Sequence, residues 1–173
     1  SKGVEGKRKV RELAQRSITA AELLDFCATT LRDYMSKFDA AKTTTNDVVR
    51  SVIIPVTRKE SRGSYAVGRE RTDRMVTHNW SNLFIDLVAA VLADALGEDS
   101  YDQIVEKLKA PSSQGTEELK KELESKGSGS RSYWICAFCV DQHVSICANV
   151  PADSLTDTAP SDAYTACSCK KKK

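Results

Sequence analysis

Aromatic residues make up only 6% of these 173 residues, and no apolar run reaches the roughly 18 residues that a membrane-spanning helix needs. Proline and glycine are few, at four and eight, which excludes a collagen or a linker-rich chain. The opening SKGVEGKRKV carries charge without an apolar h-region, so no secretory signal is expected. Gly63 and Gly68 belong to neither a P-loop nor a dinucleotide fingerprint, and Ser61 and Ser64 have no nucleophile elbow around them. A membrane protein, a small disulfide knot and a long repeat array are excluded on the same reading. What is present is 40% hydrophobic and 29% charged, with a mean hydropathy of −0.40. That is the balance of a globular chain of about one domain.

Charge is unevenly placed. Residues 1–16 hold six Lys or Arg against two Glu, and Lys170 to Lys173 add four more cations, leaving the middle of the chain net acidic. Nucleic-acid binding would put such charge on a folded face with aromatic residues between, and end-clustered charge does not fit it. The basic ends read as arms that dock on acidic surfaces. Six cysteines without a secretory signal point to a reducing compartment, the cytoplasm, where thiols are buried, catalytic or metal-bound. Cys27 falls on a helical apolar stripe and reads as core. Cys136, Cys139, Cys147, Cys167 and Cys169 crowd the last 38 positions.

The first helix is predicted over about 19–38. Thr19 and Glu22 form a capping box, Ile18 and Leu23 the hydrophobic staple, and Leu23, Leu24, Cys27, Leu31, Tyr34, Met35 and Phe38 the apolar stripe. A short helix beginning near Thr44 or Thr45 should end at Pro55. Residues 57–73 read as a loop with an extended stretch near Tyr65 to Val67, and Met75 to Thr77 as a strand. Ser81 caps a broad apolar helix over 82–96, which Gly97 stops. Ser100 and Gln103 cap another helix that Pro111 closes. Residues 112–131 hold only Leu119 and Leu123 as large apolar residues and are expected as an exposed, charged insertion. YWICAFCV, Tyr133 to Val140, is predicted as a strand buried on both faces. From Ser145 onward the chain reads as loop.

Strand, apolar helix, second helix and buried strand is the pattern of a parallel α/β sheet, whose ligand sites lie at the carboxyl ends of the strands. His78, Asn79 and Trp80 leave the first strand there. Asp141, Gln142 and His143 leave the second. His78, Asn79, Trp80, Asp141 and Gln142 are therefore the candidate binding rim, against the plainer reading that they cap helices and cover the sheet. Cys139 with His78 as a nucleophile pair is disfavoured, because a buried strand raises a thiol pKa. Asp86 and Asp94 read as a solvated or cap-facing stripe.

The same residues resemble known motifs. MVTHNWSNLFIDLVAAV resembles the SHxW strand-to-helix opening of a family of domains common in algal and other protist proteins. YWICAFCVDQH resembles that family's second signature, and TTTNDVVRSVIIPVT followed by Ser64 and Tyr65 its lead-in. Both signatures are similar to the SYxWG and WIDxxCINQ motifs of the fungal heterokaryon-incompatibility domain, which is grouped with Toll/interleukin-1 receptor (TIR) folds. The likeness covers residues 44–147. It implies a flavodoxin/TIR-like α/β fold, a partial parallel sheet flanked by helices with an N-terminal helical extension, used in signalling assemblies, some of which cleave NAD. Cys136 stands where the fungal motif has Asp, and Asp141 where it has Asn. The acidic catalytic residue of NAD-cleaving TIR domains has no assignable counterpart. Such domains continue into further strands, so the likeness implies a truncated copy.

The resulting organisation is a basic arm and amphipathic helix over 1–43, a TIR-like core over 44–150 containing the insertion 112–131, and a Cys- and Lys-containing tail over 151–173. His143, Cys147, Cys167 and Cys169 are a candidate set for a structural zinc. The rival set Cys136, Cys139, His143 and Cys147 suffers because residues three apart on a strand face opposite ways. The function expected is a non-enzymatic interaction or signalling module working with other protein subunits, without nucleic acid or a membrane span. The alternatives are a NAD- or nucleotide-cleaving enzyme at the same rim, and an accessory subunit stabilised by zinc.

Overall fold

The computed structural model describes residues 2–69, 72–110 and 113–146. A helix, α1 (Lys2–Ala14), leads into β1 (Arg16–Thr19) and then into a helical run of α2 (Ala20–Asp25), a π-helical turn (Phe26–Thr30) and α3 (Leu31–Tyr34). The capping box stands as expected. Thr19 Oγ1 accepts from the Glu22 amide at 3.2 Å, and the Glu22 carboxylate accepts from the Thr19 amide at 2.8 Å. The run stops at Tyr34, short of Phe38.

Next come α4 (Thr45–Val48), a second π-helical turn (Val49–Ile53) and α5 (Ile54–Lys59). Thr44 and Asp47 make another reciprocal cap. Pro55 does not end this stretch. It lies in the first turn of α5, where no amide donor is required, directly after a widened turn whose last bond runs from the Ile54 amide back to the Val49 carbonyl.

The chain then forms β2 (Val67–Gly68), β3 (Arg74–Val76), α6 (Phe84–Leu96), α7 (Asp102–Lys109), α8 (Gln114–Ser125), β4 (Ser132–Ile135), α9 (Cys136–Cys139) and α10 (Gln142–Ser145). The α6 helix starts two residues later than predicted and without a Ser81 cap. Its first amide, on Phe84, donates to the Thr43 carbonyl at 3.0 Å, so a neighbouring segment supplies the capping. Gly97, at φ 70°, ends it in the left-handed conformation.

The fold is α/β, with a sheet ordered β2-β1-β4-β3. β4 runs parallel to β3, placing Arg74 opposite Tyr133 and Val76 opposite Ile135, and antiparallel to β1. The expected parallel sheet is thus a mixed one, with a single parallel pair among the described residues. The cause is β1, four residues read as part of an N-terminal arm, which pairs with both β2 and β4. One apolar cluster runs from Ile18 to Cys139, so no boundary at residue 43 divides the core. Phe26, Tyr65, Phe84 and Phe138 meet at its centre, with Phe26 edge-on to Tyr65 and to Phe138 at 5.1 Å each.

The segment 112–131 is not an exposed insertion. Leu119 and Leu123 are buried, and α8 packs against α2, α6 and α7. Two leucines at four-residue spacing are enough to seat a helix whose other faces are charged. Near the end of α6, Asp94 accepts from Tyr133 Oη at 2.7 Å, with Arg131 and Arg74 at 3.6 and 3.8 Å. These contacts fasten the end of α6 to β4 and β3. No helix among the described residues is long and apolar enough to cross a membrane.

Candidate functional site

The predicted strand Tyr133–Val140 is half that length, and Cys136–Cys139 coil into a helical turn. An apolar run cannot say which, because a buried strand and a buried turn are equally apolar. The turn is held by full pairing of its carbonyls. Val140 amide and Gln142 Nε2 donate to the Cys136 carbonyl at 3.2 and 2.9 Å, and Gln142 Nε2 also to Ala137 at 3.1 Å. The Ala66 amide donates to Phe138 at 2.8 Å and Arg16 Nη1 to Cys139 at 3.1 Å. Every carbonyl of the turn thus has a donor, which a buried backbone demands.

The parallel pairing of β3 and β4 puts their carboxyl ends on one rim, as expected. Val76 lies opposite Ile135, so the residues that leave together are Thr77 and Cys136, not Thr77 and Val140. Trp80 bridges the two: its Nε1–H donates to Cys136 Sγ at 3.1 Å. Gln142, buried, reaches the same cysteine through its backbone. Trp80, Cys136 and Gln142 are therefore brought together. Cys136 is half-buried at this junction, and from the sequence alone it reads only as part of a strand or of a rival metal set.

Asn79 and Asp141 serve their own backbone. Asn79 Oδ1 accepts from the Ser81 amide at 2.9 Å, while the Trp80 and Asn82 carbonyls accept from the Asn46 and Thr45 amides. The turn after β3 is thereby fastened to the start of α4. Asp141 caps α10, its Oδ1 accepting from the His143 and Val144 amides at 3.0 and 3.3 Å. Its Oδ2 lies so close to Gly63 that a Cβ there would stand 2.5 Å away. His78 is half-buried, and neither ring nitrogen finds a partner among the described residues. Burial holds its pKa below the ordinary histidine value, so the ring is neutral at pH 7.

His143 is a core residue. Its Nε2 and the Thr57 hydroxyl are hydrogen-bonded at 3.0 Å, and the same hydroxyl lies 2.8 Å from the Ile53 carbonyl. Among the described residues no group of three or more His, Cys, Asp or Glu is placed to hold a metal ion. Cys147, Cys167 and Cys169 lie outside the described residues. Burial pushes the Cys27 thiol to about 12 and the Cys139 thiol to about 11. Neither is a thiolate at neutral pH.

Two clefts mark the surface elsewhere. One of about 280 Å³ lies between α2 and α8, and one of about 380 Å³ is bounded by Leu31, Met35, Phe38, Ile85 and Leu108. Neither is lined by His78, Asn79, Trp80, Asp141 or Gln142. Comparison with protein-family models, with curated proteins and with solved structures finds no match to this chain in any of the three.

Proposed function

We propose that the chain is a TIR-like, non-catalytic assembly module that works through contact with other protein subunits. The surface we assign to that contact is the β3 edge and the rim that continues from it through His78 and Trp80. The observation that carries the reading is Met75. This methionine stands in the outermost strand of the sheet, 70% exposed, with β4 as β3's only strand neighbour among the described residues. An edge strand leaves backbone donors and acceptors unpaired and serves as a template for another chain. An exposed methionine there adds an adaptable apolar anchor.

The rim side chains favour contact over catalysis. Asn79 Oδ1, Asp141 Oδ1 and Gln142 Nε2 are each bonded to backbone groups at the strand ends, which suits a structural part better than acid–base work. The alternative, cleavage of NAD at this rim, would use His78 and Asp141 as polar anchors. Incubating the protein with NAD and following free nicotinamide separates the two. The reading expects none above the protein-free blank. Release that disappears in His78→Ala would replace it with the enzyme reading. The third possibility, a zinc-held accessory subunit, rests on His143 with Cys147, Cys167 and Cys169. Metal analysis of protein purified without chelators addresses it, and less than about a third of a zinc per chain removes it.

A further inference from the structure

The α1 helix (Lys2–Ala14) is built but not packed. From Val4 to Arg11 every residue is exposed, and Leu13 is half-buried. Its last turn is pinned to the body through Trp134 Nε1 donating to the Leu13 carbonyl at 3.1 Å and Thr72 Oγ1 to the Ala14 carbonyl at 3.2 Å. A helix of 13 residues is marginal in water on its own, and Gly6 in its interior weakens it further. Such an element is expected to gain its stability from something laid against it.

Its faces say what kind of surface that is. Gly6, Val10, Leu13 and Ala14 fall at i, i+4, i+7 and i+8, one narrow apolar stripe, with Val10 69% exposed. Lys7 and Arg11 flank the stripe on one side and Lys9 on the other, and none of the three has an ion-pair partner among the described residues. Arg8 is different, bonded to Glu5 and Glu12 on the back of the helix at 2.7 and 2.5 Å. The receiving surface therefore needs an apolar floor, small residues that admit a helix backbone, and carboxylates along its edge.

The chain carries such a surface. The cleft between α2 and α8 has Leu24 and Leu123 as its floor, Ala21, Gly127 and Gly129 as small wall residues, and Asp25 and Glu124 at its edge. Both carboxylates are exposed and neither has an ion-pair partner among the described residues, and Lys120 is the one opposing charge in the lining. A molecule's own α1 is badly placed to fill it. The helix is pinned at the start of β1, whereas the cleft adjoins Ala21, whose amide donates to the Gly129 carbonyl beyond the far end of that strand. The four residues of β1 alone separate the two by about 13 Å.

We infer that α1 of one copy docks into the α2–α8 cleft of a second copy, with Lys7 and Arg11 meeting Asp25 and Glu124. The contact is head-to-tail and separate from the β3 rim, so repetition gives a ring or an open chain. A single helix in a groove lies at the small end of specific interfaces, and its ion pairs are screened by salt. Association is therefore weak and falls as salt rises.

Sedimentation velocity of the full chain at low and high salt tests this, with circular dichroism confirming that each variant is folded. The expected result is reversible association, weakened at least about 10-fold by Lys7→Glu with Arg11→Glu, and equally by Asp25→Lys with Glu124→Lys. All four changes in one chain re-form the pairs with signs exchanged and restore association to within about 3-fold of the unaltered protein. A chain that stays monomeric at the highest soluble concentration in low salt overturns the inference. So does association that ignores either pair of changes, or that the fourfold variant fails to restore.

Discussion

The indole Nε1–H of Trp80 donates to the sulfur of Cys136 at 3.1 Å, joining the turn after β3 to the turn after β4. The two residues are 56 positions apart in sequence and belong to the two segments that leave β3 and β4. Because β3 and β4 are parallel neighbours, both turns emerge on one rim, and this bond is where they meet. Trp80→Phe keeps the ring and loses only the donor, so a loss of about 1 kcal/mol or less is expected in urea unfolding. Trp80→Ala also removes the packing of a large half-buried ring and should cost about 3 kcal/mol.

Accessible thiols should follow burial. Peptide-resolved alkylation of the folded protein at pH 8 is expected to modify Cys136 well before Cys27 and Cys139. Those two are buried and titrate near 12 and 11. Labelling of all three at one rate would mean that the core opens on the timescale of the reaction.

Stability should fall at both ends of the pH range, for opposite reasons. Cys27, Cys139, Tyr65 and Tyr133 all have pKa values raised by burial, and the Asp94 carboxylate raises Tyr133 further. An acid whose folded pKa is raised contributes stability that is complete below its unfolded value. It is lost as pH rises past that value, here from about 8.5 for the thiols and about 10 for the tyrosines. His78 has a lowered pKa, so its contribution is complete above about 6.5 and is lost as pH falls through the folded value. Denaturation midpoints measured across pH should decline above about 9 and below about 6.5. His78→Gln should flatten the acid side alone, and Cys27→Ala should soften the alkaline side.

If α8 belongs to the core, Leu119→Ala must be expensive. The side chain has no exposed surface, and its loss should cost about 2–5 kcal/mol, where a loose insertion would show almost nothing. Chemical unfolding measures this directly.

Gly63 is a sharper local test. A Cβ at this position would stand 2.5 Å from Asp141 Oδ2, so the carboxylate whose Oδ1 caps α10 must shift. Gly63→Ala is expected to cost about 1–3 kcal/mol, with part of it recovered when Asp141→Ser shortens the opposing side chain. Equal stability of Gly63→Ala and the unaltered chain would place Asp141 elsewhere.

Much of this architecture could be read from local chemistry. Thr19 with Glu22 and Gly97 each specify a helix end through bonds to their own neighbours, and those ends are where they were expected. The β3–β4 pairing followed from the order of the elements. What was hidden depended on distant partners. β1 is four residues, too short for alternation to show, and is a strand because β2 and β4 lie on either side of it. The Cys136–Cys139 turn looks like more strand until Gln142, Ala66 and Arg16 supply donors to its carbonyls. Pro55 stays inside a helical stretch because a widened turn precedes it. The rim was legible as a place but not as a set: Trp80 and Gln142 reach it through Cys136, whereas His143 is bonded to Thr57 in the core.

The claim that the β3 edge is a contact surface is tested most directly by a photoreactive side chain placed at position 75 and activated in cells that make the protein. The account predicts one discrete protein adduct from position 75 and none from a matched probe at Asp102, an exposed residue at the start of α7 that lines neither cleft. No adduct at position 75, or the same adducts from both positions, would contradict it.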